Sequence, residues 1–206
     1  MNAMATEYYK NLCERFKKLR EAFLPEEFSP TGEYADSVFE CTRAYKAMTH
    51  AEVESYFEET GKAIAQKALE NWKKNQCASR VLIALVAFMS KAENIPEAVN
   101  GKGSKEKGAL DTRVEKAHTE YIKYVNRLNN GIKEKNILHI FLPLGLELSD
   151  FPSELLVECN NYGAERGEIV HKTRAKQILQ PADAKNSAEN LLQQIEILDS
   201  ILEKYL

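Results

Sequence analysis

DSVFECTRAYKAMTHAEVESYFEETGKAIAQKALENW, from Asp36 to Trp72, is the stretch that decides the fold class. No proline interrupts it. Val38, Cys41, Tyr45 and Met48 recur at helical spacing, and Val53, Phe57, Ile64 and Trp72 continue the stripe. That recurrence predicts one apolar face on a long helix starting near Asp36 or Ser37. Gly61 is a candidate bend within it.

Working outward, the same period returns on both sides. Tyr8, Leu12, Phe16, Leu19 and Phe23 mark a helix that ends near Pro25, followed by the loop SPTGEYAD. Downstream, Ser79 is placed to cap VLIALVAFM (Val81–Met89), whose all-round apolar character predicts the buried centre of a bundle. Residues 94–110, rich in Gly, Lys and Glu, read as a mobile loop. A helix from about Thr112 to Asn129 should stop at a left-handed Asn130-Gly131 pair. EKNILHIFL (Glu134–Leu142) is a short helix closed by Pro143-Leu144-Gly145. Asp150 and Pro152 open a helix through Val157, and Arg166 to Lys176 reads as a separate segment.

After Pro181, Ala184, Ala188, Leu191, Ile195, Leu198, Leu202 and Tyr205 alternate in steps of four and three. This heptad seam must pack on another helix, in the same chain or in a partner. IFLPLGLEL (Ile140–Leu148) is the one candidate strand, and Pro143 with Gly145 argues against it. The expectation is an all-α fold in three parts: residues 1–35, an N-terminal helix and loop; 36–180, a helical bundle; and 181–206, a C-terminal amphipathic helix.

The chain's 206 residues suffice for a core without staples, and 44% hydrophobic with 29% charged residues is ordinary globular composition. A net charge of -3 selects no partner. Its distribution is uneven: residues 1–60 are acid-rich, and Lys102 to Lys135 is base-rich. The basic stretch is either a solvated helix face or a surface that meets phosphate. Cys13, Cys41, Cys77 and Cys159 share no metal-ligand spacing, and Cys13 and Cys41 fall on apolar stripes. With no signal-like N-terminus and no apolar run of membrane-spanning length, a reducing, cytoplasmic setting without membrane association is expected.

RGEIVH (Arg166–His171) carries the chemistry. On a helix its guanidinium and imidazole are offset by roughly 140° and about 7.5 Å along the axis. They flank a groove that a phosphate can occupy. Arg offers a planar, permanently charged fork, and His exchanges protons near neutral pH. Lys172 and Arg174 add positive charge for phosphate binding. On spacing alone such a pair is more often a surface feature or a satisfied core histidine. No metal site, glycine-rich phosphate loop or cofactor motif is present in the sequence.

YGAERGEIVHKT (Tyr162–Thr173) resembles the Arg-x4–6-His signature of the HEPN superfamily. TRAYKAMTHAEVESYFEE (Thr42–Glu59) is similar to the long second helix of prokaryotic members, and NNGIKEKNILHIFLPLGLEL (Asn129–Leu148) to the segment before the motif. The likeness spans roughly residues 36–176, and the chain is similar to the ribonuclease-toxin-like branch (RiboL-PSP, MAE-type). It implies a HEPN-like four- or five-helix bundle, with the heptad helix added, that forms a homodimer. It further implies a metal-independent endoribonuclease site shared by two motifs, an RNA substrate, and a toxin–antitoxin or antiviral defence role with an antitoxin or other partner protein. Carried over, Arg166 stabilises charge on the phosphorane and His171 is the general acid or base. The position after the Arg, often polar in the family, is Gly167 here; Glu168 is a candidate replacement. Thr173 stands where some relatives carry a tyrosine that a partner adenylylates, so that mechanism is not expected.

Glu54 matches a recurring acidic position of the family's second helix. Either it orients Arg166 or His171, or it forms a local ion pair with His50 four residues earlier. Glu52 falls on the expected buried stripe, where a carboxylate needs a basic partner. Asn130 either lines the site or ends its helix. His118 reads as a solvated helix residue and His139 as lying at the edge of the core. Two rival readings remain: a non-catalytic HEPN dimer binding RNA, nucleotide or a protein, and a helical module whose heptad tail recruits another chain.

Overall fold

A computed structural model describes residues 5–90, 98, 109–171 and 178–206, with side chains described up to Gly167 in the segment that ends at His171. These residues form seven α-helices and no strand. In chain order they are α1 (Glu7–Phe23), α2 (Asp36–Asn75), α3 (Arg80–Met89), α4 (Leu110–Leu128), α5 (Glu134–Phe141), α6 (Ser153–His171) and α7 (Pro181–Leu202). No helix among them is long and apolar enough to cross a membrane. The loop expected at 94–110 lies largely outside the described residues.

Contacts gather the chain into two compact units. The first comprises Met1–Phe57, Gly131–Ile137 and Ser149–Tyr205; the second comprises Glu58–Asn130 and Leu138–Leu148. In the first unit α7 closes its seam within its own chain. Ala184, Ala188, Leu191, Ile195, Leu198 and Leu202 are all fully buried. Asp199, also buried, ties α7 to α1 and α2. Its Oδ2 accepts the Thr6 backbone N–H at 2.9 Å, and its Oδ1 accepts the hydroxyls of Thr6 at 2.6 Å and Tyr56 at 2.7 Å. Thr6 also caps α1 by accepting the Tyr9 N–H. The Tyr9 hydroxyl donates to the Leu192 carbonyl, so the buried face of α1 begins at Tyr9 rather than Tyr8. The two segments expected at 150–157 and 166–176 are joined, as far as His171, in the single helix α6. Leu155, Cys159 and Tyr162 are buried along one face, and that stripe carries the helix across the expected gap.

In the second unit α3 departs from expectation. Ser79 does cap it, accepting the Leu82 N–H at 3.2 Å. Its burial is one-sided: Val81, Leu82 and Leu85 are inside, while Ile83 and Phe88 are 60% and 61% exposed. The helix packs on α4 and on the Leu142–Leu144 turn, and those neighbours cover only one side of it. Gly61 does not bend α2. A Cβ there would lie 2.6 Å from Tyr121 Oη and 2.7 Å from Ile140 Cγ2, so the glycine permits close packing against α4 and α5. At the end of α4, Asn129 is extended and donates its side-chain amide to Glu58. The left-handed conformation is taken by Gly131 alone, at φ 115°, and not by an Asn130-Gly131 pair.

All four cysteines are free. Cys159 is buried and Cys13 half-buried, but Cys41 is exposed, contrary to its expected place on a buried stripe. Met48 is exposed too, and Val38 is only half-buried. Of Val38, Cys41, Tyr45 and Met48 only Tyr45 is buried, so over its first half α2 is rotated in part from the face that hydrophobicity selects.

Candidate functional site

The face that α2 turns inward between Thr42 and Val53 is mostly polar. Thr42, Lys46 and Thr49 are fully buried and His50 is 4% exposed. A buried ammonium or imidazole needs compensation from its neighbours. For Lys46 it comes from α6 and α7. The Lys46 Nζ lies 2.6 Å from Glu165 Oε2, donates to Ser187 Oγ at 2.9 Å and sits 3.4 Å above the centre of the Tyr162 ring. Burial pulls the Lys46 pKa down from its ordinary value, and Glu165 opposes that shift. One turn on, the Thr49 hydroxyl donates to the Tyr45 carbonyl at 2.8 Å and accepts the Tyr162 hydroxyl. Two residues of α6, Tyr162 and Glu165, are thus clamped to α2 just before the Arg166–His171 motif.

Arg166 follows directly. It is half-buried, and among the described residues no carboxylate pairs with it. Glu165, its immediate neighbour, is engaged by Lys46. Its charge is felt at His50, whose pKa falls to about 4; burial is the largest cause, then Arg166, then Lys46. His50 is therefore neutral at physiological pH. Its Nδ1 is 3.9 Å from Glu54 Oε2, too long for a hydrogen bond, so the ion pair expected between them is not formed near neutrality.

Glu54 does not reach Arg166. Its Oε1 accepts the Gly131 backbone N–H and so holds the turn that leads into α5. That turn is also tied to α6, where Asn160 Oδ1 accepts the Glu134 N–H at 3.0 Å. Glu52 finds its basic partner in Arg15, at 2.7 Å, on the rim of the unit. Asn130 is exposed and its side-chain amide turns back toward the Leu128 carbonyl, which favours the helix-end role.

α6 is continuous through His171, so Arg166 and His171 share one helix with the offset expected from their spacing. The side chains of His171 and Glu168, together with Lys172 and Arg174, lie outside the described residues. Among the described residues Gly167 faces open space: a Cβ there would meet none of their atoms within 4 Å. Among the described residues no three His, Cys, Asp or Glu side chains are grouped to hold a metal ion.

Two further histidines differ from expectation. His118 is half-buried, its Nε2 has no hydrogen-bond partner among the described residues, and its pKa is lowered by burial and then by Lys73. His139 is exposed and has a companion: its Nδ1 is 2.6 Å from the Tyr124 hydroxyl.

No family model, curated protein or solved structure matches this chain. The functional reading rests on its own residues. Those that sequence reasoning missed are Lys46, Thr49 and Tyr162. The available signal was the polar series Thr42, Lys46, Thr49 and His50 at helical spacing, which hydrophobic patterning passes over.

Proposed function

We propose that this protein is a metal-independent endoribonuclease of the HEPN type, with no cofactor, acting as a homodimer that brings two Arg166–His171 motifs to one RNA phosphate. In the proposed reaction the ribose 2′-oxygen bonds to the adjacent phosphorus and the bond to the departing 5′-oxygen breaks. His171 takes the proton from the 2′-hydroxyl or gives one to the leaving oxygen, and its symmetry mate does the other. Arg166 stabilises the added charge on the phosphorane. The products are a 2′,3′-cyclic phosphate and a 5′-hydroxyl end.

One observation carries this reading. Arg166 is a half-exposed cation without a described carboxylate partner, beside a glutamate already engaged by a buried lysine. A fixed charge left available in this way suits an anion arriving from solvent. Neutral His50 does not compete for that anion. The toxin or defence role, and any antitoxin partner, follow from the HEPN resemblance alone.

The test is incubation of purified protein with RNA in chelator. Cleavage yielding cyclic phosphate ends, abolished in both Arg166→Ala and His171→Ala, is expected. Activity retained by either variant overturns the assignment. The open side of Gly167, where the family often has a polar residue, favours a second reading, a non-catalytic RNA- or nucleotide-binding dimer. Binding that is lost in Arg166→Ala, without cleavage by the unaltered chain, supports that reading instead.

A further inference from the structure

The second unit contains a groove that the proposed cleavage chemistry does not use. It encloses about 700 Å³ between the end of α3 and one face of α4. Arg113, Lys116, Lys123 and Arg127 supply its charge, Glu120 is its one carboxylate among the described residues, and Phe88 and Tyr124 supply its rings. A second, almost wholly apolar pocket of about 190 Å³ adjoins it, sharing Phe88, Met89 and Tyr124 and reaching Leu138, His139 and Pro143. The Tyr124 hydroxyl and His139 Nδ1, 2.6 Å apart, are its polar pair.

The cations follow one line along α4. Lys116, Lys123 and Arg127 are separated by seven and four residues, or about 10 Å and about 6 Å of helix rise. All three are exposed. Lys123 is held by Glu120 at 2.8 Å, while Lys116 and Arg127 have no partner among the described residues. Phe88, 61% exposed on the side of α3 that its described neighbours leave uncovered, stands beside this line. A row of cations next to one exposed and one half-exposed ring is the pattern that tracks a sugar-phosphate backbone while bases stack. An acidic peptide would match the charge but leaves the rings and the apolar pocket without a purpose. Duplex nucleic acid offers no unstacked base to fill them.

We infer that this groove binds single-stranded RNA, with phosphates along Lys116, Lys123 and Arg127 and a base seated against Phe88 and Tyr124. The choice of RNA over DNA rests on the proposed ribonuclease function; the single-strand geometry does not. The groove gives the nuclease a substrate-holding surface built from residues other than the Arg166–His171 motif.

The experiment measures fluorescence anisotropy of a fluorescein-labelled 2′-O-methyl oligouridine of about twelve nucleotides with the full-length chain. This probe cannot undergo 2′-hydroxyl attack, so binding is read apart from cleavage. Saturable binding at low salt is expected, with log K falling linearly against log salt. Lys116→Gln with Arg127→Gln should lower that slope by about 1.4, the loss of two single-strand phosphate contacts. Phe88→Ala should weaken binding roughly tenfold through lost stacking. Arg166→Ala should leave the probe bound while abolishing cleavage of ordinary RNA, so failure of the catalytic reading and failure of this one are distinguishable. All three substituted groove residues are exposed, and unchanged helical circular dichroism confirms that each variant is folded. Absence of binding by the unaltered chain, a salt slope unchanged in the double variant, or tighter binding of a duplex of the same length each overturns the proposal.

Discussion

His50 makes the stability of this protein depend on pH in a calculable way. Its folded pKa is lowered to about 4 from an ordinary 6.5, chiefly by burial and then by Arg166 and Lys46. Above pH 6.5 the ring is neutral in both folded and unfolded chains and adds no pH dependence. As pH falls from 6.5 toward 4, the unfolded chain binds a proton that the folded chain refuses, so folding weakens. Below about 4 both states are protonated and the loss stops growing. The linkage gives about 2 kcal/mol of lost stability at pH 5 relative to pH 7. Salt screens part of the Arg166 contribution, so between about 1 and 2 kcal/mol is the expected reading at physiological ionic strength. Urea unfolding followed by far-ultraviolet circular dichroism, for the unaltered chain and for His50→Gln at both pH values, isolates this share from that of other titrating groups. The unaltered chain should lose that much more than the variant. Should His50→Gln fold poorly, imidazole resonances in the unaltered chain serve instead, those of His50 staying unshifted down to about pH 5. Equal losses in the two proteins, or a His50 resonance titrating near 6.5, refute the account of a buried neutral ring.

Arg166 precedes Lys46 among the charges acting on His50, so Arg166→Gln should raise the His50 pKa more than Lys46→Met does, read by nuclear magnetic resonance titration. Lys46→Met itself should change stability by less than about 1.5 kcal/mol in urea unfolding, because an apolar chain of similar volume replaces a desolvated charge and the half-exposed Glu165 returns to water. Two glycines should respond oppositely in thermal melts. Gly61→Ala forces a methyl against Tyr121 and Ile140 and should cost about 1–3 kcal/mol before a gain of about 1 kcal/mol in helix propensity, whereas Gly167→Ala meets nothing and should stabilise by up to about 1 kcal/mol. Asp199→Ala leaves the hydroxyls of Thr6 and Tyr56 without their acceptor and should cost about 2–4 kcal/mol by urea unfolding.

What was legible in the sequence is what helices encode locally. The period of apolar residues placed α1, α2 and α7; α4 was read over nearly its true bounds; Ser79 announced the start of α3; and Pro143 with Gly145 closed α5 without a strand. These signals need only a few neighbouring residues, because backbone hydrogen bonds and caps act within one or two turns. The Arg166–His171 spacing was legible for the same reason, once α6 was known to be unbroken.

Tertiary structure decided which surfaces face inward. Hydrophobicity chose Val38, Cys41, Tyr45 and Met48 for the inside of α2; Tyr45 is indeed buried, yet Thr42, Lys46, Thr49 and His50 take the rest of that buried face. Lys46 is tolerated there because Glu165, Tyr162 and Ser187, more than a hundred residues away, supply its counter-charge, ring and hydroxyl. It also decided that the α7 seam closes within its own chain, and that Gly61 serves close packing rather than a bend. A helix's period is written in its own residues, whereas compensation of a buried charge depends on side chains that only folding brings together.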